Sequence, residues 1–155
     1  MATLYRVLLA LHGYNGPEFK QAGDSSMLPG HVCTRDDSDE IKIATTSDVR
    51  PYGVVGCTSY HDLNTVWTAG HRTPVWLCGS GVEVNVLHDD DTGATTLVSG
   101  DKFIPDDANA GCVMLWAYTD TAVATDTMSQ FVGRLLADVT ISGDTPTFIP
   151  LKLSL

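Results

Sequence analysis

Glycine sets the terms on which this chain can fold. Between residues 50 and 104 the sequence runs in short apolar-rich segments, each closed by a glycine or by a glycine followed by a polar residue. Val82-Glu83-Val84-Asn85-Val86 alternates apolar and polar residues with period two, the pattern of a half-buried strand. Asp90-Asp91-Thr92-Gly93 supplies turn residues and Thr95-Thr96-Leu97-Val98 a second β-rich run, so the stretch predicts a hairpin with a loop of several residues. Thr68-Ala69-Gly70-His71 and Val98-Ser99-Gly100-Asp101 share one form, a small residue, a glycine and a polar residue at the entry to a new segment. No long 3.6-residue pattern with caps competes with this reading.

Further strands are expected at residues 2–11, 40–45, 51–57, 64–68, 74–78, 112–118, 131–139 and 147–155. Cys112-Val113-Met114-Leu115-Trp116 is continuously apolar and is expected to be buried on both faces. In the last segment Ile149, Leu151, Leu153 and Leu155 share a face, and Pro150 on the other face marks an edge strand or a bulge. Residues 12–40 are rich in Gly, Pro and Asp with weak periodicity, and are expected to be a long connection. Many short strands with turn signals every 8 to 12 residues or so predict an all-β barrel or sandwich. A single domain spans residues 1–155, with an N-terminal strand and irregular arm over 1–49 and the barrel over 50–155.

Composition narrows the partners. A hydrophobic share of 43% and a mean hydropathy of +0.03 describe a globular chain. The net charge is −10 and the pI about 4.6, and of the 19 acidic residues all but Glu18, Glu40 and Glu83 are aspartates. This charge repels phosphates and anionic lipid, so direct nucleic-acid and membrane partners are not expected. An Asp-rich, Lys-poor surface suits a halophilic source, and it equally suits an ordinary acidic protein. No apolar run reaches the roughly 18 residues a membrane helix needs. Residues 2–11 carry Tyr5 and Arg6 early and lack a basic leader, so a first strand is expected there and synthesis in a cytoplasm without an export signal.

Cys33, Cys57, Cys78 and Cys112 form no CxxC pair, which leaves zinc ribbon and thioredoxin motifs without support. Free thiols packed as small hydrophobes are expected. His61-Asp62 and His71-Arg72 offer base-like pairs, yet no nucleophile elbow accompanies them, and loop roles are the better account. Asp89, Asp90 and Asp91, and likewise Asp36, Asp37 and Asp39, are weak candidates for a hard cation, which favours oxygen ligands. Solvated turn acids are the simpler reading of both clusters, and no metal site is expected. Trp67, Trp76 and Trp116 fit core packing, with an aromatic ligand platform as the alternative. No nucleotide cradle is present, and neither an enzymatic activity nor a cofactor is expected.

Several stretches resemble the small all-β head (capsid) decoration proteins of tailed viruses. They are Tyr52-Gly53-Val54-Val55-Gly56, then Trp67-Thr68-Ala69-Gly70-His71-Arg72-Thr73-Pro74-Val75, residues 79–86, Leu97-Val98-Ser99-Gly100-Asp101-Lys102-Phe103, and Val132-Gly133-Arg134-Leu135-Leu136. His71 stands where an acidic residue is usual in that family and Leu136 where alanine is usual, and the likeness covers about residues 50–155. It implies a structural virion protein on the outer capsid surface, a homotrimer at lattice symmetry axes with the major capsid protein as partner. It also implies an extended arm, for which residues 12–29 are the candidate, with His12, Tyr14, Asn15, Pro17, Phe19, Met27 and Leu28 as interface candidates. The alternatives are another virion β-module (a turret, fibre base or tail subunit) and a small carbohydrate- or ligand-binding β-barrel.

Overall fold

A computed structural model describes residues 16–46, 49–58, 62–89, 95–116, 130–141 and 145–154. The predicted strand at residues 2–11 lies outside them. The strands are β1 (Glu18–Ala22), β2 (Val32–Arg35), β3 (Glu40–Ile43), β4 (Gly53–Val55), β5 (Arg72–Leu77) and β6 (Glu83–His88). They continue with β7 (Thr95–Leu97), β8 (Lys102–Pro105), β9 (Val113–Leu115), β10 (Gly133–Leu135), β11 (Val139–Ile141) and β12 (Thr147–Lys152). The chain is all-β, as its turn spacing predicts. Two five-stranded sheets each close on themselves, one in the order β1-β3-β2-β4-β5 and one in the order β10-β12-β6-β9-β8, while β7 pairs with β11 alone. Closure removes the exposed edges that strands this short would otherwise present.

The two barrels are the same barrel twice. Taken in chain order, β6, β8, β9, β10 and β12 occupy the places of β1, β2, β3, β4 and β5. In each ring the first and third strands run parallel and every other pair is antiparallel. Register agrees all the way round. Ala22 opposite Ile41 matches His88 opposite Val113, and Arg35 opposite Ile41 matches Pro105 opposite Val113. Cys33 opposite Gly53 matches Phe103 opposite Gly133. Val55 opposite Val75 matches Leu135 opposite Leu151, and Phe19 opposite Pro74 matches Asn85 opposite Pro150, which closes both rings on the same residues.

Turns repeat too, although the β2–β3 turn is two residues shorter than the β8–β9 turn. Gly30 donates to the Val55 carbonyl at 2.7 Å, and Gly100 to that of Leu135 at 2.9 Å. Both glycines sit at positive φ, 91° and 95°. Asp36 caps its turn by accepting from the Ser38 amide at 2.9 Å, and Asp106 does the same for Ala108 at 2.8 Å. Asp39, the one described non-glycine residue at positive φ (64°), takes the place of Gly111 (83°). The β7–β11 ribbon is an enlarged form of an isolated bridge between Met27 and Trp67 in the first barrel.

The first barrel is filled by Ala22, Met27, Cys33, Ile41, Val55, Trp67 and Val75. A larger cluster fills the second and reaches out to Val32, Ala44, Val54 and Trp76 on the outer surface of the first. Burying such side chains contributes about 1.5–3 kcal/mol each, which makes this joint a major stabilising contact. Backbone bonds stitch it: Leu87 donates to Gly30 at 3.0 Å, Val32 to Gly111 at 2.7 Å, and Gly111 to Ala44 at 2.8 Å. Glycine is required at both crossing points. A Cβ on Gly30 would strike the Phe148 ring, and one on Gly111 would lie 2.6 Å from the His31 ring.

Several expectations are corrected. The described part of residues 12–40 is not a bare connection, and residues 16–46 are not an arm outside the barrel, because β1, β2 and β3 are three of the first barrel's five strands. β1 escapes pattern reading because only Ala22 of its five residues is buried, and it is held by pairing with β3 and β5 on its two sides. The hairpin expected across residues 82–98 does not form, since β6 pairs with β12 and β9 while β7 pairs with β11. β9 is not buried on both faces, Met114 being half-buried and Leu115 exposed. Pro150 marks neither an edge nor a bulge. The β10 ladder stops at Leu135 opposite Leu151, and Pro150 contributes only its carbonyl, which accepts from Leu136 at 3.0 Å. Pro74 is accommodated in the same way by Gly56 at 2.8 Å.

Candidate interaction surfaces

Charged side chains gather at one end of the first barrel. Lys20 places its ammonium 2.9 Å from an Asp39 carboxylate oxygen and 3.9 Å from Glu18, and the Arg35 guanidinium meets the same Asp39 oxygen at 2.5 Å. Tyr52 donates its hydroxyl to Glu18 at 2.5 Å, and both Lys20 and Arg35 lie over its ring. The Lys20 bond holds the Asp39 carboxyl below the ordinary carboxylate range, and Asp39 in turn raises the Lys20 ammonium. Equivalent positions in the second barrel are Val84 for Glu18, Val86 for Lys20 and Pro105 for Arg35. One barrel end is therefore an ion-pair network where its counterpart is apolar. Beside it a recess of about 400 Å³ is lined by Arg35, Arg50, Pro51, Tyr52, Leu77 and Cys78.

The predicted cation clusters take other forms. Asp36 accepts from the amides of Ser38 and Glu40 and pairs with Lys42 at 3.0 Å, and the Lys42 bond lowers its carboxyl. With Asp39 held by Lys20 and Arg35, two of the three carboxylates in that cluster face the chain's own cations, and Asp37 is exposed. Asp89 is half-buried at the end of β6, while Asp90 and Asp91 lie outside the described residues. Among the described residues no three His, Cys, Asp or Glu side chains converge to hold a metal ion. His61 lies outside the described residues, and Asp62 caps a turn through the Asn64 amide (3.0 Å) and the Thr65 hydroxyl (2.7 Å). His71 is exposed and bonds Thr68. The cysteines are free thiols, and burial pushes Cys33 up strongly and Cys78 up to about 12.

Of the interface candidates, His12, Tyr14 and Asn15 lie outside the described residues. Pro17 and Leu28 are half-buried, and Phe19 is 49% exposed with the Arg72 guanidinium 5.7 Å from its ring centre. Met27 is corrected: its side chain is fully buried inside the first barrel, because its bridge to Trp67 turns it inward. Trp67 and Trp76 are core residues, whereas Trp116 is half-buried on the outside of the second barrel.

A further surface was not legible in the sequence. Lys102 lies opposite Arg134 on β10, and Arg134 opposite Lys152 on β12. Three of the chain's nine Lys and Arg residues thus form a row across adjacent strands, where directly opposed like charges are destabilising. Arg134 and Lys152 are exposed, with Gly133, Leu135 and Leu151 turned inward beside them. Lys102 lies over the Trp116 ring (5.1 Å) and the Phe131 ring (5.3 Å), and those rings meet edge to face. The row ends at Glu83, opposite Lys152 on β6. Only the strand register brings these residues together, so no motif could have announced them.

No protein-family model matches the chain, and no curated protein matches it either.

Proposed function

We propose that this chain is a structural virion protein that decorates and reinforces the outer capsid surface of a tailed virus, as a homotrimer docked on the major capsid protein. The observation that carries the reading is where the resembling stretches fall. Tyr52-Gly53-Val54-Val55-Gly56 and Val132-Gly133-Arg134-Leu135-Leu136 occupy the same strand of the two barrels, and Gly100 and Gly30 the same corner. The stretches that carry the likeness contribute β4 and β10 and parts of β5, β6 and β8, whereas β1, β2 and β3 of the first ring lie outside them. Closed barrels without free edges also suit a protein that must pack beside many copies of itself without uncontrolled strand pairing. Weak individual contacts suffice on a lattice, where multivalency multiplies them.

Co-sedimentation with assembled shells tests the role. The chain should bind shells saturably and raise their resistance to heat, and it should ignore free capsid subunits. A stable monomer that binds a sugar and leaves shells untouched would overturn the reading in favour of a ligand-binding barrel. Purification with the tail or the vertices would favour another virion β-module.

A further inference from the structure

We infer that the basic face of the second barrel is a docking surface for the acidic β2–β3 turn of another copy of this chain. The internal repeat carries the inference. In the first barrel the positions equivalent to Lys102, Arg134 and Lys152 are Val32, Val54 and Trp76, which form the same row across β2, β4 and β5. Ala44 takes the place of Trp116, each amide bonding back to the residue that opens the second strand of its ring: Val32 at 3.0 Å, Lys102 at 2.9 Å. These four residues are the outer surface by which the first barrel sits on the second. One face of this barrel type therefore already makes a protein contact within the chain. Its second occurrence is basic and aromatic, with Arg134 and Lys152 exposed and Lys102 and Trp116 half-buried, and it includes an Arg and a Trp, two residue types enriched at interfaces.

The same comparison names the partner. The first barrel's docking face rests on the β8–β9 turn of the second, where Gly111 receives Val32 and bonds Ala44. The equivalent turn of the first barrel is Asp36-Asp37-Ser38-Asp39-Glu40, with Asp36 matching Asp106 and Asp39 matching Gly111. Four carboxylates in five residues are offered where the repeat places the receptor for a face that carries three cations. Lys20, Arg35 and Lys42 already engage Asp36 and Asp39, which fixes the turn and leaves Asp37 exposed for a partner. Copies joined in this way meet head to tail, a heterologous contact that closes into a ring if the rotation allows. The inference deepens the proposed self-association and is separable from shell binding, since it is read on the purified chain alone.

Two double variants test it by sedimentation velocity. Arg134→Glu with Lys152→Glu makes the face acidic, and Asp37→Lys with Ser38→Lys makes the turn basic. All four positions are exposed. The unaltered chain should self-associate with rising concentration, and each variant alone should do so at least about tenfold more weakly, as expected when rim charges are set against like charges. An equimolar mixture of the two variants should regain the association, because each then offers the complement of the other. A wild-type chain that stays monomeric, variants that associate as the wild type does, or a mixture that regains nothing would each overturn the inference. Should the acidic face variant not fold, Arg134→Gln with Lys152→Gln reads the same loss without adding charge. A wild-type monomer that binds shells through this face would assign the face to the capsid instead and likewise overturn the second-copy partner.

Discussion

His31 joins a local cap to the barrel joint. Its Nδ1 accepts from the Leu28 amide at 3.2 Å, and its ring packs on Gly111 of the other barrel. Burial pushes its imidazole down from 6.5 to about 4, so the folded chain holds it neutral, which agrees with Nδ1 acting as an acceptor. Between those two values the unfolded chain binds more protons than the folded one. Stability therefore falls as the pH drops through that window, by up to about 3 kcal/mol from this group. Asp101 does the same work in the second barrel, accepting from Val98 at 2.8 Å. His31→Asn should accordingly keep the cap and flatten the pH dependence above pH 4. Urea midpoints measured on either side of the histidine's ordinary 6.5 check this. A variant that loses stability on acidification as steeply as the wild type would show that other groups control the slope.

At the scale of strands, Gly53 and Gly133 hold one position in the two rings. A Cβ on Gly53 would lie 2.5 Å from the Trp76 carbonyl oxygen, and one on Gly133 would collide with that of Lys152. Neither obstacle is a flexible side-chain end, so β4 would have to move off β5, and β10 off β12. Gly53→Ala and Gly133→Ala should each cost about 1–3 kcal/mol, as overpacking does. Chemical denaturation should find the two losses comparable; a neutral result at one site would show that the rings are not equally tight there. Both glycines fall in stretches that carry the resemblance, and β5, β6 and β12 lie close to the strands expected at residues 74–78, 82–86 and 147–155. β1 was hidden because Glu18 and Lys20 sit where the second barrel has Val84 and Val86, so the side it shares with buried Ala22 is otherwise an ion-pair network with no apolar period to detect. Pairing partners were hidden for a different reason: alternation reports burial, and says nothing of which neighbour a strand selects.

The duplication belongs to the scale of the whole chain, and its sequence trace is thin. Gly30 and Gly100 are each followed six residues later by an Asp-Asp pair, Asp36-Asp37 and Asp106-Asp107, and Pro74 and Pro150 recur on the fifth strand. Almost everything between them has diverged, because a small barrel constrains volume and corner geometry more than residue identity. Divergence is most informative at Trp76. It is 8% exposed within the joint, while Lys152 at the same place in the second barrel is exposed. Trp76→Lys would therefore install at the joint the residue its own repeat uses to face water. It removes a buried aromatic, a loss of about 3–5 kcal/mol where the site cannot collapse, and it leaves a charge in an apolar contact. The interiors of both barrels lack this side chain, so each ring keeps its own filling while the contact between them fails. Urea unfolding of the wild type should be one transition, since the larger core cluster draws residues from both barrels. The variant should unfold in two steps, with the first barrel, whose own core is the smaller, going at lower denaturant. Small-angle scattering before the first step should show a longer particle than the wild type. One sharp transition at an unchanged midpoint would mean that the joint contributes little and that each barrel is stable without its twin.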